Sequence, residues 1–149
     1  MIPDVVTTYC HNHALDMTPI RHVLLEHLWN HDTPAKAYDM IEVLRQKGIG
    51  SPKPPTVYRA IDFLEAQGLV HKVHALNAYV PCHHPGMHKA CQLLICDACG
   101  DAREFCDAEL SALIPVKAKD LGFHPRASVV EVFGMCHRCS GLDSDGGGA

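Results

Sequence analysis

The chain has 149 residues, 47 % of them hydrophobic, and a formal net charge of −4. That is enough for one ordinary domain or two small ones with packed cores, and it excludes a disordered chain. No stretch approaches the roughly 20 apolar residues that cross a bilayer, and the N-terminal segment lacks the basic and apolar regions of a signal peptide, so a cytoplasmic protein without a membrane partner is expected.

Four helices are expected in the first half. A loose one covers about Pro3 to Leu15. Thr18-Pro19 combines an N-cap with a proline at the first helical position, and Ile20, Val23, Leu24 and Leu28 follow at helical spacing. Thr33-Pro34 repeats that signal for a third helix, running to Lys47 with Ala37, Ile41 and Leu44 inward and Gly48 as its stop. Lys53-Pro54-Pro55-Thr56 starts the fourth, with Val57, Ile61 and Leu64 as its apolar stripe and Gly68 at its end.

A short hairpin follows: Leu69 to Val73, a turn at Ala75-Leu76-Asn77, and a return strand Ala78 to Val80. Helices followed by a small hairpin spell a winged helix-turn-helix or, equally by pattern alone, a helical bundle capped by a hairpin. Residues 81–85 read as a hinge. Beyond it lie a strand at Leu93 to Ile95, a partner at Ala102 to Phe105, a helix from Asp107 to Leu121 with a kink or boundary at Pro115, and a β-branched last strand from Ser128 to Phe133. The fold class is therefore α+β: residues 1–80 form a winged-helix unit, 86–140 a small α/β unit, and 141–149, rich in Gly, Asp and Ser, a disordered tail.

Eight cysteines and twelve histidines point to metal chemistry, because paired cysteines in a reducing compartment are more often ligands or redox groups than structural disulfides. Cys96-Asp97-Ala98-Cys99 and Cys136-His137-Arg138-Cys139 are two C-x-x-C turns. Each presents two thiolates to one ion, and two such turns make the closed tetrahedral Cys₄ site of structural zinc. A second set, His71, Cys82, His88 and Glu104, spans the wing, the hinge, the following loop and the partner strand, with His83, His84 and Cys91 nearby. Taken singly these are ordinary surface groups. As a set they draw on both halves, and mixed N, S and O donors suit zinc.

Charge opposes a broad electrostatic DNA surface. Residues 1–80 hold seven Lys/Arg against eight Asp/Glu, and 81–149 hold six against nine, whereas DNA-binding domains are usually basic. Any DNA contact must come from local placement. Tyr58 and Arg59 face away from the apolar stripe of the fourth helix, as a recognition helix requires. Arg59 suits a guanine edge, Lys53 and Lys72 are placed for phosphates, Tyr38 for sugar or base, and Thr56 joins them as a DNA-binding residue.

The runs Lys53-Pro54-Pro55-Thr56-Val57-Tyr58-Arg59-Ala60-Ile61-Asp62-Phe63-Leu64 and Gly68-Leu69-Val70-His71-Lys72, together with Ala37-Tyr38-Asp39, Tyr79-Val80-Pro81-Cys82 and both C-x-x-C segments, closely resemble the ferric-uptake-regulator family, in its zinc-uptake-regulator branch, over roughly residues 15–140. The resemblance implies a homodimer that binds double-stranded, inverted-repeat operator DNA when zinc-loaded and represses zinc-uptake genes. It implies two zinc ions per protomer, a structural one on Cys96, Cys99, Cys136 and Cys139 and a regulatory one on His71, Cys82, His88 and Glu104, with Tyr38 and Arg59 toward bases. The chain departs from that pattern at His88, one residue farther from Cys96 than expected, so Cys91 and His84 stand as alternatives. The histidine-rich run before the first C-x-x-C strand of iron and peroxide sensors is absent, which favours zinc over iron.

Iron-, peroxide- and redox-sensing repressors of the same family are the near rivals. A zinc hydrolase or deaminase is the distant one. It lacks support, since no histidine is followed two residues later by glutamate and no H-E-x-x-H occurs. Neither C-x-x-C opens a helix in a thioredoxin-like setting. No catalytic residue is expected.

Overall fold

The fold, a computed structural model, is described for residues 1–50 and 52–141; the expected tail beyond Gly141 lies outside them. Four helices, α1 (Asp4–Asn12), α2 (Pro19–Asn30), α3 (Ala37–Gln46) and α4 (Pro54–Ala66), precede the hairpin β1 (Val70–Val73) and β2 (Ala78–Pro81). After a 3₁₀ turn at Pro85–Ala90 come β3 (Cys91–Cys96), β4 (Ala102–Cys106), α5 (Ala108–Asp120), β5 (Glu131–Gly134) and α6 (His137–Ser140). The architecture is α+β, as expected.

The helical half forms where the capping signals stand. Thr18 Oγ1 accepts from the Arg21 amide at 3.4 Å, and Pro19 opens α2. Pro54 and Pro55 open α4, whose Val57, Ala60, Ile61 and Leu64 are buried. With Val6, Leu24, Leu25, Leu28, Met40, Leu44, Leu69 and Val70 they make one core. Each such aliphatic side chain contributes roughly 1.5–3 kcal/mol by leaving water.

Several boundaries differ from expectation. Helix α1 ends at Asn12, with Ala14 in a left-handed conformation beyond it. Helix α3 begins at Ala37 rather than at Thr33-Pro34, because Ala35 pairs with Tyr79 instead. Their amides and carbonyls exchange bonds at 3.0 and 2.8 Å, adding a bridge to the hairpin edge. The last strand begins at Glu131 rather than Ser128, because its register against β3 starts at Leu93↔Glu131. Helix α5 runs through Pro115 to Asp120, so Pro115 is no boundary; Asp107 caps it, its side chain accepting from the Leu110 amide at 3.0 Å.

The sheet half is built on β3, antiparallel to β4 and parallel to β5. Its own core is thin. Helix α5 buries no residue, and β5 buries none. Instead Leu93 and Ile95 of β3 pack on Val73 and Val80 of the hairpin, forming a second apolar cluster that joins the halves. The Glu131 carboxylate adds a polar tie, accepting from the amides of His74 and Ala75 at 2.6 and 3.0 Å.

Candidate metal centres

The parallel pairing of β3 with β5 ends at Cys96↔Gly134. Both C-x-x-C turns therefore leave the same end of adjacent strands, and the sulfurs of Cys96, Cys99, Cys136 and Cys139 all lie within 4.8 Å of one another. The turns are tied by backbone bonds from Asp97 N to Gly134 O at 2.8 Å and from Gly100 N to Cys96 O at 3.0 Å. Gly100 holds φ at +74° there, a conformation costly for other residues. Amides of Cys136, Cys99 and Ala98 hydrogen-bond the Cys96 sulfur and bring its pKa down to about 6, while hydrogen bonds with Cys136 and Cys99 push Cys139 up to about 12. Four crowded sulfurs sharing protons in this way are a donor set that a divalent cation neutralises, and all four match structural zinc.

The second centre lies at the junction of the halves. The ligand atoms of His71 on β1, Cys82 just after β2, Cys91 on β3 and Glu104 on β4 lie within 4.8 Å of one another. His71 Nε2 meets Glu104 Oε2 at 2.6 Å, with Glu104 only 3 % exposed. The other carboxylate oxygen accepts from the His83 amide, and His83 Nδ1 lies 3.0 Å from it. Burial opposes the Glu104 charge, but the bonds from His71 and His83 overcome it and hold the carboxyl at about 2. Burial, with the Glu104 charge beside it, pushes the Cys82 thiol up to about 12.

Of the expected set, His71, Cys82 and Glu104 converge. His88 stands beside them, its ring stacked on that of His71 with centroids 4.2 Å apart. Its Nδ1 is buried without a hydrogen-bond partner, and burial brings its pKa down to about 4, so it is neutral and ready to donate a lone pair. Gly68 makes room for it: a Cβ there would meet His88 Cβ at 3.1 Å and the Pro85 carbonyl at 3.2 Å. A buried, unpartnered ring nitrogen beside three convergent donors fits a bound metal. His84 belongs to a third, smaller group with Glu104 and Cys106.

The sequence favours ligand or redox cysteines over disulfides and offers Cys91 as an alternative ligand, whereas here Cys91 and Cys106 are joined by a disulfide. They face each other directly in the β3–β4 register. Equal spacing of four residues on either side of the turn between Ile95 and Ala102 carries that pairing in the sequence, but a hairpin register read from strand centres alone hides it. Sequence reasoning also passed over Glu131, whose partners lie 56 and 57 residues away.

The expected DNA-contact residues lie on the helical half. Tyr38 opens α3 and is 79 % exposed, and Tyr58 of α4 is 47 % exposed. Lys53 and Arg59 are exposed, with Arg59 Nε leaning back to the Pro55 carbonyl at 3.3 Å; Thr56 and Lys72 are half-buried. Among the described residues no helix is long and apolar enough to cross a membrane.

The model of the "Ferric uptake regulator family" matches residues 12–133. The chain is 38 % identical over 133 residues to the "Zinc uptake regulation protein" of Escherichia coli (strain K12), covering 87 % of this chain and 76 % of that protein. Its fold is similar to the crystal structure of holo XcZur, with a TM-score of 0.83 and 40 % identity over 93 % of this chain and 96 % of that one. It is also similar to a zinc uptake regulator complexed with zinc and DNA, with a TM-score of 0.82 and 36 % identity over 91 % of each.

Proposed function

The chain belongs to the ferric uptake regulator family, and we propose that it is a zinc-responsive transcriptional repressor that binds operator DNA as a zinc-loaded homodimer and shuts off zinc-uptake genes. The observation that carries this reading is the convergence of His71, Cys82 and Glu104, with His88 against them, at the seam between the hairpin and the sheet. The relatives named for zinc uptake regulation, and one seen with zinc and DNA, support the same reading.

In this proposal residues 1–80 are the DNA-binding unit and 86–140 the dimerisation and metal-binding unit, with 81–85 between them. The protein acts on transcription rather than as an enzyme, in the cytoplasm. Two zinc ions are held per protomer. Cys96, Cys99, Cys136 and Cys139 hold the structural one. His71, Cys82, His88 and Glu104 hold the regulatory one. Bound zinc would supply a fixed tie among side chains that only hydrogen bonds and ring stacking hold in its absence. His71 belongs to the wing, Cys82 to the hinge directly after it, and Glu104 to the sheet, so fixing them together sets the direction of α4. Tyr38, Lys53, Thr56, Tyr58, Arg59 and Lys72 face the DNA. The acidic net charge fits this mechanism, since affinity then depends on presenting two recognition helices at the right separation.

A second copy is the occupant of the exposed apolar surface of the sheet half. Leu110, Leu113 and Val116 of α5 and Val132 and Phe133 of the edge strand β5 are all exposed. An exposed apolar edge strand invites pairing.

Zinc content per protomer, measured before and after dialysis against a mild chelator and paired with an operator titration, tests the reading. One retained zinc and one removable zinc whose loss abolishes DNA binding are expected. A single non-removable zinc with chelator-insensitive DNA binding overturns it.

A further inference from the structure

We propose that Cys91 and Cys106 are a reversible thiol-modification site wired to the regulatory centre: reduced, Cys91 supplies a second thiolate ligand there, and oxidised to the disulfide it stays in place but offers no thiolate. This rests on the reading of His71, Cys82 and Glu104 as metal ligands. It adds an input that zinc concentration alone does not provide.

Three observations meet at this pair. First, Cys91 and Cys106 are directly opposed residues of β3 and β4, so the strand pairing itself holds the two sulfurs together. Second, the Cys91 sulfur is one of four donors, with His71, Cys82 and Glu104, lying within 4.8 Å of one another. Third, the Cys106 sulfur lies 3.9 Å from Glu104 Oε2, the oxygen that also meets His71, and 3.7 Å from His84 Nδ1. Both sulfurs of the pair thus border the Glu104 carboxylate, and Cys91 also reaches His71 and Cys82. Both cysteines are partly exposed, whereas Cys82 is buried. A small oxidant reaches the pair before it reaches Cys82.

The chemistry balances with a hydroperoxide as oxidant. The Cys106 thiolate attacks the O–O bond, giving a sulfenic acid and releasing water or an alcohol. The Cys91 sulfur then attacks the sulfenic sulfur, forms the S–S bond and expels a second water. Two thiols lose two electrons and the hydroperoxide gains them. A dithiol reductant returns both thiols by exchange. Sulfur in a disulfide is no longer an anionic ligand, so the oxidised centre is left with Cys82 as its only thiolate and with His88 as the neighbouring donor. Metal affinity then falls with oxidation while the Cys₄ site keeps its ion.

Cobalt(II) loaded into the second site of the full-length protein, with the Cys₄ site filled by zinc, reads the number of bound thiolates through its sulfur charge-transfer absorption. Reduced protein should show two thiolates. Cys91→Ser should show one, and so should wild type after a stoichiometric dose of hydrogen peroxide, with recovery on adding a dithiol. Cys106→Ser should keep two through the same dose. Zinc affinity at that site should drop at least about tenfold on oxidation, and alkylation followed by peptide mapping should recover a 91–106 link. A one-thiolate spectrum in reduced wild type, matched by Cys91→Ser, overturns the proposal. So does free alkylation of both cysteines after peroxide treatment. Cys82→Ser separates the two readings: if it still binds cobalt as wild type does, the regulatory centre itself is misassigned and both fall. If it loses the metal while Cys91→Ser leaves the spectrum unchanged, only the redox coupling falls.

Discussion

His71 Nε2 and Glu104 Oε2 meet at 2.6 Å across 33 residues of sequence, joining the wing to the sheet. The contact has a measurable signature in metal-free protein. Glu104 is held at about 2 against an ordinary 4.5. A depressed folded-state value gives stability that is present above 4.5 and lost as the pH falls toward 2. That contribution is at most about 3 kcal/mol. Urea unfolding of wild type and Glu104→Gln at about pH 5 and about pH 3 should show the gap between them shrinking in acid. A gap that stays constant removes the charge from the account.

Cys82 should make zinc uptake proton-linked. Its thiol, pushed up to about 12 by burial and by Glu104, must lose its proton to ligate. His88, lowered to about 4, has none to lose near neutrality. The affinity of the removable zinc should therefore rise about tenfold or more per pH unit between roughly 6.5 and 7.5. Competition against a chromophoric chelator measures this. Cys82→Ser should stay a folded dimer, lose the removable zinc and no longer bind operator. Normal repression by that variant in high zinc would remove Cys82 from the site.

Cys96→Ser should be the most damaging single change. With α5 and β5 burying nothing, the sheet half has little apolar core to fall back on, and its two C-x-x-C turns tie β3 to β5. Loss of one zinc per protomer, loss of amide protection across β3 and β5, and dissociation to monomers are expected. A stable dimer with native protection would show that the sheet holds without its metal.

Arg59→Ala should lower operator affinity by about 1–3 kcal/mol and leave both zinc ions in place. Arg59 is exposed, and its guanidinium bonds a carbonyl of its own helix, so among the described residues it ties α4 to no other element. A mobility-shift titration at fixed ionic strength gives the affinity. Equal loss on operator and random DNA would make Arg59 a backbone contact instead.

Phe133→Asp tests the proposed dimer seam. Phe133 is 55 % exposed on the edge strand, where it supports no core of its own protomer. Light scattering should show a monomer that retains its Cys₄ zinc. An unchanged dimer would move the seam elsewhere.

What could be read in advance divides by distance along the chain. The C-x-x-C turns are local, so four ligands of one site were visible as two short runs. The α4 stripe of Val57, Ile61 and Leu64 was visible by its period, and all three proved buried. The second centre is different, because its geometry depends on how β1 and β4 come together through Val73, Val80, Leu93 and Ile95. That packing brings Cys91 in among the donors and leaves His88 stacked beside them, an ordering no spacing rule contains. The start of α3 was misjudged for a similar reason. Thr33-Pro34 carries a helix-start signal, and a nonlocal bridge from Ala35 to Tyr79 overrode it.

The grip of Glu131 on the His74 and Ala75 amides has a consequence for how such a protein would evolve. One side chain of β5 holds the tip of the wing, while two residues along, on the same face of the strand, Phe133 is exposed. A four-residue strand thus works like a short axle, with the wing keyed to one end and the partner-facing surface to the other. Substitutions that reshape that surface should re-aim both recognition helices together. Half-site spacing could then drift between relatives with α4 left untouched.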